Sequence, residues 1–404
     1  MKSDRIGIFR KVWCRAFQGA FRLALPVLPY RNPVVFGSVD ALPDILREKG
    51  KRSVLVVTDP GVLKHKLADM LLERLDGASV KYGIFSDIRP NPTVENIENA
   101  RKAYISQNAD AIIAIGGGSA IDAAKALGAR IAHPRKSLAR MGGILRVFRP
   151  LPMFVAIPTT AGTGSETTLA AIVTDPERQR KYALMSFPLI PHYAVLDPRM
   201  TLTLPPHLTA TTGMDALTHA IEAFIGRSTT RETRTLAIDA VRLIFANIEK
   251  AFEDGTDLGA RSNMLLASHK AGLAFSKSYV GYVHAIAHSL GGRYDTPHGL
   301  ANAVILPEML AEYGECIHGK LSVLAKAAGI CGAGDAPAVA AAKFVGAIRK
   351  LNVKMGIPAK IDAISESDIP QLAARAEKEA NPLYPVPRLM TAGQLEKIYR
   401  IISK

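Results

Sequence analysis

Residues 109–128, ADAIIAIGGGSAIDAAKALG, join an apolar run to three consecutive glycines and then to an alanine-rich stretch. The apolar run is typical of a buried β-strand, and the alanine-rich stretch is typical of a helix. Glycines at a strand-to-helix turn let a pyrophosphate approach free backbone N–H groups at the positive end of a helix dipole. The segment therefore predicts a phosphate-binding site. Its candidate residues are Gly116, Gly117, Gly118, Ser119 and Asp122.

The glycine pattern departs from the dinucleotide-binding fingerprint in two respects. The string GGGSAID lacks the third glycine, and no acidic residue follows at a strand end about 20 residues later. From the residues alone, a tight turn that needs glycine only for its backbone angles stays open as the alternative.

Residues 31–205 alternate short β-rich runs with helical stretches. The β-rich runs are SVLVVT at 53–58, SVKYGIF at 79–85, ADAIIAI at 109–115 and PMFVAI at 152–157. This alternation predicts a parallel sheet covered by helices, which binds ligands at the carboxyl ends of its strands. The loop IPTTAGTGSET after the last run is a second candidate for binding phosphate or ribose. Its donors are Thr159, Thr160, Thr163 and Ser165.

The second half of the chain consists of long Ala- and Leu-rich segments with helical spacing, and β-rich runs almost vanish. These segments are 209–225, 232–252, 260–275, 320–329 and 335–351. We therefore predict three parts. They are a basic amphipathic extension over residues 1–30, an α/β domain over 31–205 and an all-helical domain over 206–404.

Two pairs of potential metal ligands lie four residues apart in the helical half. Asp215 and His219 form the first pair, within TGMDALTHAIEAF, and His284 and His288 form the second, within HAIAHSLGGRYDTPH. Residues four apart share one helix face, so each pair can meet a single ion. His298 adds a third imidazole to the second stretch.

Each pair alone also fits a simpler interpretation, a surface hydrogen bond for Asp–His and a core position for a histidine on an alanine-rich helix. The combination favours a metal site, and ligands without thiolate favour Fe²⁺, Zn²⁺ or another divalent transition metal over Ca²⁺ and Mg²⁺. We expect the helix before His298 to end at Gly291-Gly292. A Lewis-acidic metal beside a nucleotide site favours hydride transfer from an alcohol to nicotinamide.

Composition and charge argue against several other classes of protein. Three cysteines without a CxxC pair predict neither a disulfide framework nor a cysteine zinc site. No apolar run reaches the roughly 18 residues of a transmembrane helix, and no signal-peptide pattern opens the chain. We therefore expect a cytoplasmic protein. The net charge of +15 comes from basic residues spread along the chain, so no nucleic-acid partner is predicted.

The segment IGIFRKVWCRAFQGAFRLAL, residues 6–25, predicts a basic amphipathic helix. Its predicted apolar stripe consists of Ile6, Phe9, Trp13, Phe17, Phe21 and Ala24. We expect this helix to dock on its own domain or on a partner subunit, with peripheral contact to an anionic membrane surface as the alternative.

At these motifs the chain resembles the iron-containing (group III) alcohol dehydrogenases, from about residue 31 to its C-terminus. The matching strings are GGGSAIDAAK, PTTAGTGSE, LDPRMTLTLPP, TGMDALTHAIEAF, GYVHAIAHSLGG, TPHGLANAVILP and ANPLYPVPRLMT. The resemblance implies a dehydroquinate synthase-like fold, with an α/β dinucleotide-binding domain on a parallel sheet and an all-α C-terminal metal-binding domain. It implies NAD-dependent, metal-assisted interconversion of a small primary alcohol or diol and its aldehyde, in a homodimer or larger homo-oligomer.

The resemblance also implies roles for individual residues. The implied metal ligands are Asp215, His219, His284 and His298, with His288 beside them as a proton-relay residue. The GGGS turn is implied to bind pyrophosphate, and the TTxGTGSE loop to line the cofactor site. Asn91 of the PNPT motif and Lys181 are implied to lie near the cofactor. Asp59, after SVLVVT, matches a carboxylate that accepts ribose hydroxyls and repels a 2′-phosphate, which favours NAD over NADP.

Several alternatives stay open. The resemblance implies that glycerol dehydrogenases, maleylacetate reductases and dehydroquinate synthases of the same superfamily differ mainly at the metal-site residues, and that maleylacetate reductases have lost these ligands. A glycerol or polyol dehydrogenase stays open, with glycerol or another diol as its substrate. A non-catalytic NAD or metal sensor would bind NAD without reducing it, and a nucleic-acid-binding protein would retain DNA in a salt-dependent way. The candidate lining of the substrate pocket is Phe154, Leu169, Phe275 and Tyr384.

Overall fold

The computed structural model describes residues 6–178 and 180–404 of the chain. The described residues form two compact units. One unit is Pro29–Leu204, and the other joins Pro205–Lys404 to the described residues up to Leu28. Among the described residues, no helix is long and apolar enough to cross a membrane.

Nine strands are found in the described residues, and all belong to the unit Pro29–Leu204. They are β1 (Val34–Phe36), β2 (Ser53–Val57), β3 (Lys81–Phe85), β4 (Ala111–Gly116), β5 (Gly143–Ile144), β6 (Met153–Pro158), β7 (Ala170–Asp175), β8 (Arg180–Met185) and β9 (Tyr193–Val195). Six of them form a wholly parallel sheet in the order β1-β9-β6-β4-β2-β3. The predicted parallel sheet is therefore confirmed.

The helices fall into both units. They are α1 (Ile8–Ala24), α2 (Leu42–Glu48), α3 (Pro60–Lys64), α4 (Asp69–Gly77), α5 (Val94–Ser106), α6 (Gly118–Ala132), α7 (Leu138–Met141), α8 (Pro206–Ile225), α9 (Arg231–Glu253), α10 (Leu258–Ser278), α11 (Tyr282–Tyr294), α12 (His298–Tyr313), α13 (His318–Ala327), α14 (Pro337–Lys354), α15 (Ile369–Ala380) and α16 (Ala392–Ile402). Short 3-10 segments lie at Leu25–Val27, Val39–Ala41, Ser165–Thr167, Phe187–Leu189, Pro198–Thr201, Gly314–Ile317 and Glu366–Asp368. The predicted helical second half is confirmed.

The large sheet is buried on both faces, which explains why its central strands are nearly continuous apolar runs. Along β2, Leu55 and Val57 belong to one buried apolar cluster, and Val54 and Val56 belong to another. The first cluster includes side chains of α5 and α6, and the second includes side chains of α2 and α4. The sheet therefore forms the middle of three layers.

Helix α8 is the centre of the helical unit. Every residue from Gly213 to Ile225 is buried, and α9, α10 and α12 all contact the helix. Helix α11 contacts α12 and α15. Because α11 and α8 both contact α12, residues on the facing sides of these three helices come together in a buried region.

Two features of the fold differ from the prediction. The expected helix end at Gly291-Gly292 is wrong, because α11 continues through both glycines to Tyr294 and ends before Asp295, whose φ is 53°. Glycine costs about 1 kcal/mol in a helix but keeps its N–H donor, so a helix with a buried face can pass through it. The three-stranded sheet in the order β5-β8-β7, with β7 and β8 antiparallel, was not predicted.

Candidate functional site

Four side chains from three helices of the helical unit converge on one point. Asp215 and His219 lie on α8, His284 lies on α11 and His298 is the first residue of α12. One potential ligand atom from each lies within 4.8 Å of the others. The structure thus brings together the four residues that were predicted as metal ligands.

Three distances within this cluster fit a shared ion. The Oδ1 atom of Asp215 lies 3.5 Å from Nε2 of His298 and 3.9 Å from Nε2 of His284, and Oδ2 lies 4.0 Å from Nδ1 of His219. Two ligands that bind one ion at about 2.0–2.2 Å are separated by no more than about 4.4 Å. The three measured separations fall within this limit.

Glu222 extends the cluster along α8, three residues beyond His219. It is 3% exposed, and its carboxylate accepts hydrogen bonds from the backbone N–H groups of Gly281 at 2.7 Å and Val283 at 2.9 Å. Its Oε2 atom lies 2.6 Å from Nδ1 of His284. The carboxylate therefore anchors the first turn of α11 and orients the His284 ring at the same time.

Burial determines the protonation of this pair. It lowers the pKa of His284 well below its usual value, which keeps the imidazole neutral. It also raises the pKa of Glu222 to about 7, although the N–H groups of Gly281 and Val283 act in the opposite direction. A neutral His284 whose Nδ1–H points to Glu222 directs the Nε2 lone pair at Asp215.

Asn302 completes the inner part of the cluster from α12. It is fully buried, and its Nδ2 group donates to Oδ1 of Asp215 at 2.6 Å. The same nitrogen lies 3.1 Å from Nε2 of His298 and 3.3 Å from Nε2 of His284. Lone pairs of the Asp215 carboxylate and of the neutral His284 imidazole thus face one another around a single amide donor. A divalent cation fits such an excess of acceptors, and this donor set suits Fe²⁺ or Zn²⁺.

Aromatic contacts hold the imidazole rings in place. The ring of Phe275, on α10, stacks on His219 with a centroid distance of 4.1 Å and an interplanar angle of 14°. His219 lies in turn 4.4 Å from His284, between ring centroids. The two buried imidazoles are therefore fixed by their neighbours and by Glu222.

His288 lies beside the cluster and outside it. Its ring stacks on His298 at a centroid distance of 5.2 Å, and its side chain is 41% exposed. Its Nδ1 atom lies 2.6 Å from Oε1 of Glu379, which also accepts a hydrogen bond of 2.7 Å from the hydroxyl of Tyr384. The contact with Glu379 fixes the orientation of the His288 ring.

The predicted nucleotide-binding residues lie in the other unit, where the strand order reverses. The chain passes from β2 to β3 on one side and then to β4 on the other side of β2, so the carboxyl ends of β2 and β4 border a switch point. Asp59 follows β2, and its Oδ1 atom caps α3 by accepting from Gly61 N at 2.9 Å and Val62 N at 3.1 Å. Its Oδ2 atom would lie 3.1 Å from a Cβ placed on Gly116. Asp59 and the glycine turn are therefore direct neighbours.

The glycine turn meets the second predicted loop closely. Gly116 has φ of 154°, and Gly117 is the N-cap of α6. A Cβ on Gly117 would lie 3.6 Å from Thr160, and one on Gly118 would lie 3.1 Å from Thr163. Ser119 follows in the first turn of α6, and Thr159 donates its backbone N–H to the Gly116 carbonyl at 3.0 Å. The two candidate loops thus form one continuous surface at adjacent strand ends.

Lys125, on α6, connects the glycine turn to the second loop through buried hydrogen bonds. Its side chain is wholly buried, and its Nζ donates to the Ser165 carbonyl at 2.6 Å, to Thr168 Oγ1 at 2.7 Å and to the Ala170 carbonyl at 2.8 Å. Asp122 accepts from Ser165 Oγ at 2.7 Å. Burial lowers the pKa of Lys125 to about 8 and raises the pKa of Asp122.

The remaining two predicted cofactor residues contact each other. The ammonium group of Lys181, on β8, donates to Oδ1 of Asn91 at 2.5 Å. Asn91 has φ of 58°, a left-handed conformation that asparagine tolerates better than most residues. The unpredicted sheet of β5, β8 and β7 thus places Lys181 beside the PNPT motif.

Sequence analysis missed Glu222, Asn302, Glu379 and Lys125. Two of them carried a signal, because Asn302 follows His298 by four residues and Glu222 follows Asp215 by seven, on the same helix faces. The prediction that Phe154 lines the substrate pocket is wrong. This residue is 0% exposed within the core on one face of the large sheet.

Comparisons with known proteins agree with this geometry. A family model described as iron-containing alcohol dehydrogenase matches residues 32–198, and a model of the C-terminal part of the same family matches residues 209–402. The 1,3-propanediol dehydrogenase of Klebsiella pneumoniae is 37% identical over 356 residues, which cover 87% of this chain and 91% of that protein. The NAD-dependent methanol dehydrogenase of Bacillus methanolicus is 34% identical over 351 residues, which cover 86% and 92%.

A solved structure shares this fold. The crystal structure of a 1,3-propanediol oxidoreductase superposes with a TM-score of 0.89 and 36% sequence identity, over 92% of this chain and 98% of that chain. At this identity, the shared fold extends to both units.

Proposed function

This chain belongs to the iron-containing alcohol dehydrogenase family, and from that premise we propose how its own residues carry out the reaction. It is an NAD-dependent oxidoreductase that interconverts an alcohol or diol and its aldehyde. The convergence of Asp215, His219, His284 and His298 is the observation that carries the proposal.

The four converging residues hold the metal, which is Fe²⁺, with Zn²⁺ or another divalent transition metal able to occupy the same donors. The metal supplies Lewis acidity at the alcohol oxygen when it is bound. Glu222 keeps Nε2 of His284 directed at the site through its 2.6 Å contact with Nδ1, and Asn302 holds the Asp215 carboxylate. Burial of Asp215, His219 and His284 excludes water from the donors.

The cofactor is NAD, bound at the carboxyl ends of β2, β4 and β6. The glycine turn and the first turn of α6 offer N–H groups and the positive helix end to the pyrophosphate. Asp59 accepts the ribose hydroxyls with its Oδ2 atom, because Oδ1 is occupied by the cap of α3. A negative charge at this point repels the 2′-phosphate of NADP.

His288 carries the proton between the alcohol and solvent. Its side chain is 41% exposed next to the buried cluster, so one ring can face both the site and water. Glu379 orients it by accepting from Nδ1, and Tyr384 steadies Glu379 by donating to the same oxygen. Proton transfer from a positioned imidazole contributes about 10²–10⁴-fold to the rates of such reactions.

The substrate is a small primary alcohol or diol. Proteins named for 1,3-propanediol and for methanol are 37% and 34% identical to this chain. Phe275 contributes an apolar face beside His219, which suits a short carbon chain. A glycerol or polyol dehydrogenase is the alternative, and it is distinguished by its substrate. The sensor and nucleic-acid-binding alternatives are not retained, because the chain belongs to a family of enzymes and keeps all four donors.

The test begins with removal of metal from the purified protein and anaerobic reloading with Fe²⁺ or with Zn²⁺. NADH formation is then followed across methanol, short primary alcohols, 1,3-propanediol and glycerol. We expect metal-dependent NADH formation with short primary alcohols or diols. We also expect its loss in His284→Ala together with loss of bound metal.

The matched control is His207→Ala, which removes an exposed histidine from the same helix α8. It should keep both metal and activity. Turnover with glycerol alone would replace the proposed substrate class by polyols. Tight NAD binding without turnover of any alcohol in the metal-loaded protein would contradict the proposal.

A further inference from the structure

The N-terminal helix α1 docks on its own unit with one side. Arg15 donates to the backbone carbonyls of Val386 at 2.8 Å and Pro387 at 3.0 Å. Gln18, which is 4% exposed, donates to the backbone carbonyls of Pro382 at 3.1 Å and Tyr384 at 2.8 Å. These contacts fix the rotation of the helix about its own axis.

Apolar contacts complete the docking side. Cys14 is 2% exposed, and the ring of Phe21 meets Tyr279 edge to face at a centroid distance of 4.9 Å. Of the predicted apolar stripe, Phe21 thus packs on the protein, whereas Phe9 and Trp13 do not, being 90% and 62% exposed. The predicted stripe therefore does not coincide with the side of α1 that packs on the protein. The hydrogen bonds of Arg15 and Gln18 determine which side docks.

The opposite side of α1 is apolar and exposed, and we name it the outer face. It consists of Ile8, Phe9, Val12, Trp13, Ala16, Gly19, Ala20 and Leu23. At 3.6 residues per turn these positions span an arc of roughly 140° that contains no charged residue. Phe9, Leu23 and Ile8 are 90%, 82% and 72% exposed. A surface helix normally turns such a face toward the core, and an exposed apolar face of this kind is typical of a binding surface.

The charges of the helix indicate which kind of partner the outer face suits. Residues 6–28 contain Arg10, Lys11, Arg15 and Arg22 and no acidic residue. Arg10 pairs with Glu377, and Arg15 is bound to backbone carbonyls, whereas Lys11 and Arg22 are exposed at the margin of the outer face. A second copy of the helix would bring only further positive charges to this margin. An anionic lipid surface would neutralise them and bury the outer face.

We propose that α1 lies in the surface of an anionic bilayer, with the outer face at the boundary between headgroups and acyl chains. The helix has 17 residues, which corresponds to about 25 Å, and it would lie along the surface rather than across it. Its docking contacts keep it folded and oriented before it meets the lipid, which reduces the ordering cost of binding. This surface is independent of the residues proposed for catalysis.

Trp13 provides a direct probe, because it is the only tryptophan of the chain and lies on the outer face. The full-length protein is mixed with vesicles of phosphatidylcholine and phosphatidylserine, or of phosphatidylcholine alone. We expect flotation with the anionic vesicles and a shift of Trp13 emission to shorter wavelength. Binding to neutral vesicles should be at least about tenfold weaker.

Matched variants assign the binding to this face. Phe9→Ser with Leu23→Ser should weaken binding to anionic vesicles by about tenfold or more, because two exposed apolar side chains no longer insert. Val339→Ser with Val353→Ser removes two other exposed apolar side chains, on α14, and should leave binding unchanged. Lys11→Gln with Arg22→Gln should abolish the preference for phosphatidylserine. Dehydrogenase activity should be the same in all of these variants.

Three outcomes would overturn the proposal. The first is the absence of flotation and of an emission shift with anionic vesicles. The second is equal binding to neutral vesicles. The third is an emission shift that depends on protein concentration without lipid, which would show that a second copy covers the outer face. None of these outcomes affects the proposed catalytic function, which is measured separately by metal-dependent NADH formation.

Discussion

The Oε2 atom of Glu222 lies 2.6 Å from Nδ1 of His284 and also accepts the backbone N–H of Gly281 at 2.7 Å. A residue that does not touch the proposed metal thus fixes both the ring of one ligand and the start of the helix that carries it. Outer carboxylates of this kind typically change metal affinity by about 10–100-fold. Glu222 is a positioning residue for the site.

We expect Glu222→Gln to bind Fe²⁺ or Zn²⁺ about 10–100-fold more weakly, because an amide offers one acceptor oxygen where the carboxylate offers two. Metal retention against a competing chelator measures the effect. Circular dichroism of the metal-free variant shows whether α11 stays folded. Unchanged metal affinity in a folded variant would remove Glu222 from the site.

Asp59 offers a way to separate helix capping from cofactor selection. An asparagine in its place would keep the side-chain oxygen that caps α3, because asparagine is as good an N-cap as aspartate, while losing the charge. Asp59→Asn should therefore retain its melting temperature and lower the preference for NAD over NADP by about tenfold, which corresponds to about 1.4 kcal/mol.

Dissociation constants for both cofactors measure this preference, with Asp44→Asn as the control for loss of an exposed acid in the same unit. An unchanged ratio between the two cofactors would exclude Asp59 from ribose recognition.

Lys125 links the proposed cofactor loop to α6 through buried hydrogen bonds, and methionine has a similar shape without the donors. Lys125→Met leaves the carbonyls of Ser165 and Ala170 without this partner and Asp122 without its neighbouring positive charge. We expect a loss of about 3–5 kcal/mol in the stability of this unit and a weaker affinity for NAD. Metal content should not change, because the proposed metal ligands lie in the other unit.

Lys102→Met, an exposed substitution on α5, is the control. Calorimetry of the metal-loaded protein and NAD titration measure the two effects. Wild-type affinity for NAD in Lys125→Met would show that the loop keeps its shape without the lysine.

Sequence analysis predicted those parts of the fold in which burial produces a recognisable pattern of apolar residues along the chain. Strands β2, β4 and β6 are buried on both faces, so each is a nearly continuous apolar run. Strands β7 and β8 could not be recognised in this way. β7 alternates buried and half-buried residues, and β8 begins with Arg180 and Lys181, so the antiparallel pair lacks a continuous apolar signal.

In the candidate site, too, the residues that could be predicted are those with a local sequence pattern. Asp215 and His219 were predicted from their spacing on one helix, as were His284 and His288. The roles of Glu222 and Lys125 depend on partners about 60 and 40 residues away, which only tertiary structure brings near. The helix end at Gly291-Gly292 was wrong for a related reason, since burial of α11 outweighs the local cost of glycine.

His192 makes the stability of the α/β unit sensitive to acid. Its Nδ1 atom accepts the backbone N–H of Phe154 at 3.1 Å, and its own backbone N–H donates to the Phe154 carbonyl at 2.9 Å. Burial lowers the pKa of His192 to about 4, and the positive charges of Arg31 and Lys51 act in the same direction. In the unfolded chain the pKa is about 6.5. The unfolded state therefore binds the extra proton first as the pH falls.

The stability that neutral His192 contributes should accordingly be complete above about pH 6.5, decline between about pH 6.5 and pH 4, and be lost below that range. In His192→Asn the side-chain oxygen can still accept from Phe154 N without titrating, so its melting temperature should fall less over this interval. Circular dichroism melts of the two proteins from about pH 7 to pH 4 measure the difference. Parallel curves would show that carboxylates, and not His192, govern the acid sensitivity of this unit.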